Sequence, residues 1–126
     1  MAKKILIVDD EKHIILLLKT RLERANYEVI TAYNGKECIE KLVSERPDLI
    51  ILDIMMPVMD GYSTLIAMKE MRAVAEEEEK IPVIVLSARA DSGVRELVEQ
   101  EEIVDYVLKP FKADQLMARI KEILKE

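Results

Sequence analysis

Apolar residues along the chain fall into two alternating kinds of cluster. Short runs of β-branched and aliphatic residues at 4–8, 28–32, 49–52, 83–86 and 106–108 read as strands. Between them, stretches with apolar residues every three or four positions read as helices, at 12–25, 35–44, from 61 or 62 to about 76, 93–100 and 113–125. The first, third and fourth strands are apolar almost throughout. Such strands are covered on both faces, as in a parallel sheet between helix layers. The second (EVITA) mixes polar and apolar residues, as fits an edge. The alternation predicts an open α/β sheet with right-handed crossovers.

The first helix holds an ambiguity. It carries IILLL at 14–18. At about 100° per residue these five side chains cover the whole circumference, whereas packing on one side of a sheet buries only a stripe. The helical wheel assigns Ile14, Leu18 and Leu22 to that stripe, flanked by Leu17 and Ala25. It puts Arg21 near the stripe, snorkelling, Ile15 at its border and Leu16 outward.

Length and composition narrow the picture. A chain of 126 residues, half of them hydrophobic and 35% charged, suits one domain with one sizeable core. No repeat, linker or low-complexity segment is present, and AEEEEK at 75–80 reads as the solvated end of the third helix and its loop. The net charge of −6 argues against nucleic-acid binding through a broad basic face. Cys38 is alone, which excludes an internal disulfide and fits a reducing cytosol. MAKKILIVDDE is not a signal peptide, and no apolar run approaches the roughly 20 residues of a membrane span. A cytoplasmic protein without membrane contact is expected.

In a sheet of this kind ligands bind at the carboxyl ends of the strands. The first strand ends in Asp9 and Asp10, the third in Asp53, the fourth in Ser87, and the fifth in Lys109, followed by Pro110. Carboxylates brought together repel: two unit charges about 4 Å apart interact by roughly 1 kcal/mol in water and roughly 4 at an effective dielectric of 20. A hard divalent cation with oxygen ligands removes the conflict, and Mg²⁺ fits best because it uses few carboxylates and shares phosphate oxygens. With the lysine ammonium added, the cluster is suited to a dianionic phosphoryl group, with Asp53 as carboxylate nucleophile.

IVDDE, LDIMMPVMDG, LSA and YVLKPF stand in this order at about the spacing of bacterial response-regulator receiver domains, and the chain resembles that family over essentially its whole length. The resemblance implies a flavodoxin-like (βα)₅ fold with strand order 2-1-3-4-5. It makes Asp53 the phosphoacceptor, Asp10 and Asp53 the side-chain ligands of Mg²⁺, Asp9 a contributor through water, and Met55 a backbone-carbonyl ligand. Lys109 resembles the lysine that pairs with the phosphoryl group, Ser87 the switch hydroxyl, and Tyr106 the aromatic that turns with it. Pro57 and Gly61 shape the loop after the acceptor, and Ala88 leaves room for phosphoryl entry. The domain is then a switch rather than an enzyme. It receives its phosphoryl group from a sensor histidine kinase or histidine phosphotransfer protein.

For that partner the resemblance points to Ile14, Ile15 and Leu16, beside the loops at Pro57 and Pro110. His13 reads as helix-start filler. ADQLMARIKEIL resembles the last helix of receivers in winged-helix regulators. Asp105 and Arg119 are accordingly expected to pair between subunits of a homodimer formed through the fourth helix, fifth strand and fifth helix. A single-domain regulator and a receiver from a longer transcription regulator both remain open. The resemblance also implies that Met55 and Arg89 flank the path of an attacking water; neither side chain activates it, so slow self-dephosphorylation is expected. Glu102 and Ile103 stand where the family usually has Gly-Ala, which deprives the fourth helix of a glycine C-cap.

Three other readings fit less well. A haloacid-dehalogenase-type phosphohydrolase wants a second Asp where Met55 stands. An FMN carrier wants a Ser/Thr/Gly-rich loop where DDEKH stands. An inactive scaffold would not need intact acids with Ser87 and Lys109.

Overall fold

A computed structural model describes residues 2–77, 79–88, 92–101 and 103–125, apart from the side chains at 92–94. Arg89 and Glu102 lie outside the described residues. The chain runs β1 (Lys4–Val8), α1 (Lys12–Arg24), β2 (Glu28–Ala32), α2 (Gly35–Glu45), β3 (Leu49–Asp53), α3 (Gly61–Ala75), β4 (Val83–Ser87), α4 (Ser92–Glu99), β5 (Asp105–Leu108) and α5 (Ala113–Leu124). The strands form one parallel sheet in the order β2-β1-β3-β4-β5. This is the expected flavodoxin-like order, with the mixed strand β2 at an edge. Every predicted element is present. The ends shift by a residue or two, and β3 and β4 each reach one residue further, taking in Asp53 and Ser87.

Successive strand residues point to opposite faces, so an unbroken apolar strand supplies two cores. Leu6, Val8, Ile50, Leu52, Val83 and Val85 face one way, with Cys38, Leu65, Met68 and Val98 packed on them from α2, α3 and α4. Ile5, Ile7, Leu49, Ile51, Ile84 and Leu86 face the other, under α1 and α5. Burial pushes the Cys38 thiol up to about 12, so it behaves as a small apolar core residue.

One expectation about α1 is corrected. The buried stripe is Ile15, Leu18 and Leu22, at 5%, 1% and 0% exposure, while Ile14 is only half-buried at its flank. Spacings of three and four residues put all three on one face. Ile15 is therefore a core residue and is not available to a partner. Leu16 is 66% exposed and points outward as expected, and Leu17 is 43% exposed. Arg21 at the stripe's edge pairs with Asp114 of α5. The acidic run after α3 is exposed wherever it is described.

α4 ends without a glycine. The Gln100 N–H donates to the Glu96 carbonyl and the Glu101 N–H to the Val98 carbonyl. Glu101 folds inward, its side chain 10% exposed and 3.7 Å from Lys69 of α3. Ile103 packs on the core just beyond.

Candidate functional site: an acidic cluster with a lysine at the strand ends

Strand register brings the predicted residues together. Val8 lies beside Leu52, Asp53 beside Leu86, and Ser87 beside Leu108. The ladders continue one residue past the strands. The Asp9 N–H donates to the Ala32 carbonyl at 3.1 Å, Ile54 to Leu86 at 3.2 Å, and Lys109 to Ser87 at 2.8 Å. Asp9, Asp53 and Lys109 are thus held by backbone pairing rather than by loop conformation, as a site of fixed geometry requires.

Asp9 and Asp53 are 0% and 2% exposed, whereas Asp10 is exposed. An oxygen from each of the three carboxylates lies within 4.8 Å of the others. The Lys109 ammonium enters from the β5 side, its Nζ 2.9 Å from Asp9 Oδ2, 3.4 Å from Glu11 Oε1 and 3.6 Å from Asp53 Oδ2. The Glu11 N–H donates to Asp9 Oδ1 at 2.9 Å and the Met55 N–H to Asp53 Oδ1 at 3.2 Å.

The electrostatics follow from burial. Desolvation, then the charge of Asp9, push the Asp53 carboxyl from its ordinary 3.8 up to about 7, and the hydrogen bond with Asp10 adds to this. Lys109 and the Met55 N–H pull in the opposite direction without prevailing. Burial pulls Lys109 down, but its hydrogen bond to Asp9 and the charges of Asp53, Asp9 and Glu11 outweigh that and hold it above its ordinary value. One lysine therefore does not neutralise the cluster. Three hard oxygen donors with surplus negative charge suit a divalent cation such as Mg²⁺, and Asp9, Asp10 and Asp53 are the residues able to hold it.

The loop after Asp53 is shaped by a close approach. A Cβ at Gly61 would sit 2.6 Å from the Asp53 carbonyl oxygen and 2.7 Å from Ile54 Cα, so only glycine fits. The Gly61 N–H donates to the Ile54 carbonyl at 3.0 Å, and Asp60 caps α3 by accepting from the Ser63 N–H at 2.7 Å. Val58, at φ 68°, is held in the left-handed region at the tip. Met55 and Pro57 are exposed there, and Pro110 is exposed after Lys109.

Ser87 and Tyr106 are buried, at 0% and 8% exposure. The Asp105–Arg119 pair closes within one chain at 3.0 Å. His13 sits 3.2 Å from Glu11 and is otherwise exposed. The contact of Glu11 with Lys109 was not anticipated. Its only signal was the third acid of the DDE run.

The family model described as the response regulator receiver domain matches residues 5–121. The chain is 40% identical over 125 residues to the alkaline phosphatase synthesis transcriptional regulatory protein PhoP of Bacillus subtilis, covering 99% of this chain and 50% of that protein. It is 37% identical over 124 residues to the transcriptional regulatory protein PrrA of Mycobacterium tuberculosis, covering 98% of this chain and 51% of that protein. The chain thus spans about half the length of the curated relatives it matches. Among solved structures, the Francisella response regulator 1452 receiver domain superposes with a TM-score of 0.86 at 31% identity, covering 98% of this chain and 97% of that one. A CheY-like receiver domain protein from Methanospirillum hungatei gives 0.87 at 28% identity, covering 99% and 95%.

Proposed function

The chain belongs to the response regulator receiver domains of two-component systems, and from that premise we propose that Asp53 accepts a phosphoryl group whose charge is read by Lys109, Ser87 and Tyr106. The observation that carries this reading is the position of Asp53: buried at the end of β3, 3.6 Å from the Lys109 ammonium and within 4.8 Å of two further carboxylates.

The ionised Asp53 oxygen attacks the phosphorus of a phosphohistidine. An O–P bond forms, and the P–N bond breaks with its electron pair returning to an imidazole that takes a proton from solvent. A divalent cation of the Mg²⁺ type, held by Asp9, Asp10 and Asp53 with the Met55 carbonyl, would supply the positive charge that keeps Asp53 ionised and shields the phosphoryl oxygens. Phosphorylation brings about −1.5 to −2 charge and three acceptor oxygens. Lys109 exchanges Glu11 for those oxygens, the Ser87 hydroxyl turns to donate to them, and Tyr106 settles into the space Ser87 leaves. A local charge thereby selects between two arrangements of the β4–α4–β5 surface.

The phosphoryl donor is a sensor histidine kinase or phosphotransfer protein, docking at Ile14, Leu16, Pro57 and Pro110. The relatives are named as transcriptional regulators. We accordingly propose a transcriptional output in the cytoplasm, through a separate DNA-binding unit and pairing of two copies at α4, β5 and α5. The domain itself does not contact nucleic acid in this reading. Among the described residues no helix is long and apolar enough to cross a membrane.

Acetyl phosphate with Mg²⁺ tests the assignment. Intact-mass analysis should find one phosphoryl group on the wild-type chain and none on Asp53→Ala. Phosphate gained by that variant would refute the assignment.

A further inference from the structure

We infer that Arg95 is a positioning residue for the switch: it caps the Tyr106 ring and holds it in its buried place. The Arg95 guanidinium carbon lies 5.0 Å from the centroid of that ring, within the range at which a cation is attracted to an aromatic face. The side chain is itself fastened. Its Nε donates to Glu99 Oε1 at 2.6 Å, one turn further along α4. Because the guanidinium is held, less of its attraction to the ring is lost to ordering a long side chain.

Tyr106 packs in the cluster that contains Val83 and Val85 of β4 and Val98 of α4. Val98 is 0% exposed and follows Arg95 by three residues, so both lie on one side of α4. The helix therefore contributes a buried apolar residue to the ring's cluster and a cation to its face. Val98 is fixed by the core. Arg95 is solvent-exposed, so the cation can be removed without opening the interior.

The functional consequence rests on the reading of Tyr106 as the aromatic that moves. A contact shifts an equilibrium only by the difference it makes between two states. Arg95 interacts with the ring in its buried place, so it weights the resting equilibrium toward that place before any phosphoryl group arrives. An exposed cation–π contact changes such a ratio by about two- to five-fold. That is too little to lock the switch and enough to set its threshold.

The test is fluorine NMR of the chain labelled with meta-fluorotyrosine, with Tyr106→Phe assigning one of the four tyrosine signals. Without cation or phosphoryl analogue, Arg95→Ala should lower the ratio of buried to exposed Tyr106 ring by about two- to five-fold. Arg95→Lys, which keeps the cation, should restore most of it. Glu99→Gln, which loosens the guanidinium without touching the ring, should move the signal the same way as Arg95→Ala. An unchanged Tyr106 signal in folded Arg95→Ala overturns the inference, as does an equal loss in Arg95→Lys. Adding Mg²⁺ with beryllium fluoride then reads the switch itself. A Tyr106 signal that ignores this addition in the wild type refutes its role in switching, while the comparison made beforehand still decides the role of Arg95.

Discussion

Replacing Asp53 by asparagine should make the cation-free protein more stable, although the replaced residue is the proposed centre of function. In the folded chain the Asp53 carboxyl is pushed from 3.8 to about 7, chiefly by burial and then by Asp9. At about 1.36 kcal/mol per pKa unit, keeping it ionised at pH 8 costs roughly 4 kcal/mol of folding free energy. The amide removes that cost but turns N–H bonds toward Lys109, so a net gain of roughly 2–4 kcal/mol is expected. The pH window follows from the direction of the shift. Below 3.8 the carboxyl is protonated in both states, so the stabilising gap vanishes and only the cost of the amide beside Lys109, at most about 2 kcal/mol against the variant, remains. As pH rises toward 7 the unfolded chain releases the proton while the folded chain retains it, so the wild type loses stability relative to the variant. The loss is complete above about 7, and at pH 5 the gap should be less than half its value at pH 8. Mg²⁺ at about a hundred times its dissociation constant should return about 2.7 kcal/mol to the wild type and much less to the variant. The assay is urea unfolding followed by far-ultraviolet circular dichroism, since the chain has no tryptophan. A variant no more stable than wild type at pH 8 in chelator, or a gap of equal size at both pH values, would refute the reasoning.

The other expectations are briefer. Lys109→Ala should still accept phosphate from acetyl phosphate, more slowly, yet show no phosphorylation-dependent partner binding; normal binding would remove Lys109 from the switch. Ile15→Ala should cost roughly 2–5 kcal/mol in denaturant unfolding as a core truncation. Leu16→Ala should change stability by no more than about 0.5 kcal/mol while slowing phosphotransfer from the kinase; an Ile15→Ala as stable as wild type, or a strongly destabilised Leu16→Ala, would refute this phase of the helix. Gly61→Ala forces a Cβ to within 2.6 Å of the Asp53 carbonyl oxygen, so roughly 1–3 kcal/mol of destabilisation and slower phosphorylation should appear together. Met55→Asn with Arg89→Glu should shorten the life of the phosphorylated state, read as the decay of phosphoprotein by mass spectrometry.

Most of the architecture is legible in the sequence, because unbroken apolar strands and helical spacing each have one economical burial. The expected elements reappear, and strand order then brings Asp9, Asp53, Ser87 and Lys109 to one edge. β3 and β4 run one residue beyond their apolar pattern for a physical reason. Asp53 and Ser87 are polar, yet both are buried and within the strands, where a pattern of apolar residues has no means of showing them. The phase of α1 is not legible in the sequence because IILLL presents an apolar residue in every direction. Only the sheet beneath the helix selects Ile15 over Ile14. Glu11 against Lys109 joins residues far apart along the chain, and Arg95 over Tyr106 joins a helix to the strand that follows it, so no spacing within one element announces either.

Among the described residues, the sheet divides the interior into two cores that share strands but no helix. Leu16, the exposed docking candidate of α1, stands over one of them, and Arg95 and Val98 of α4 belong to the other. Under the proposed docking, substitutions that refit α1 to a new donor can therefore accumulate without repacking the layer that supports α4, and the converse also holds. A chain built this way can change whom it listens to and what it addresses as two separate evolutionary problems, and a designer rewiring it inherits the same freedom. The exception is α5, which shares a core with α1 while its other side meets β5. That helix is where a change of donor would first be felt at the output.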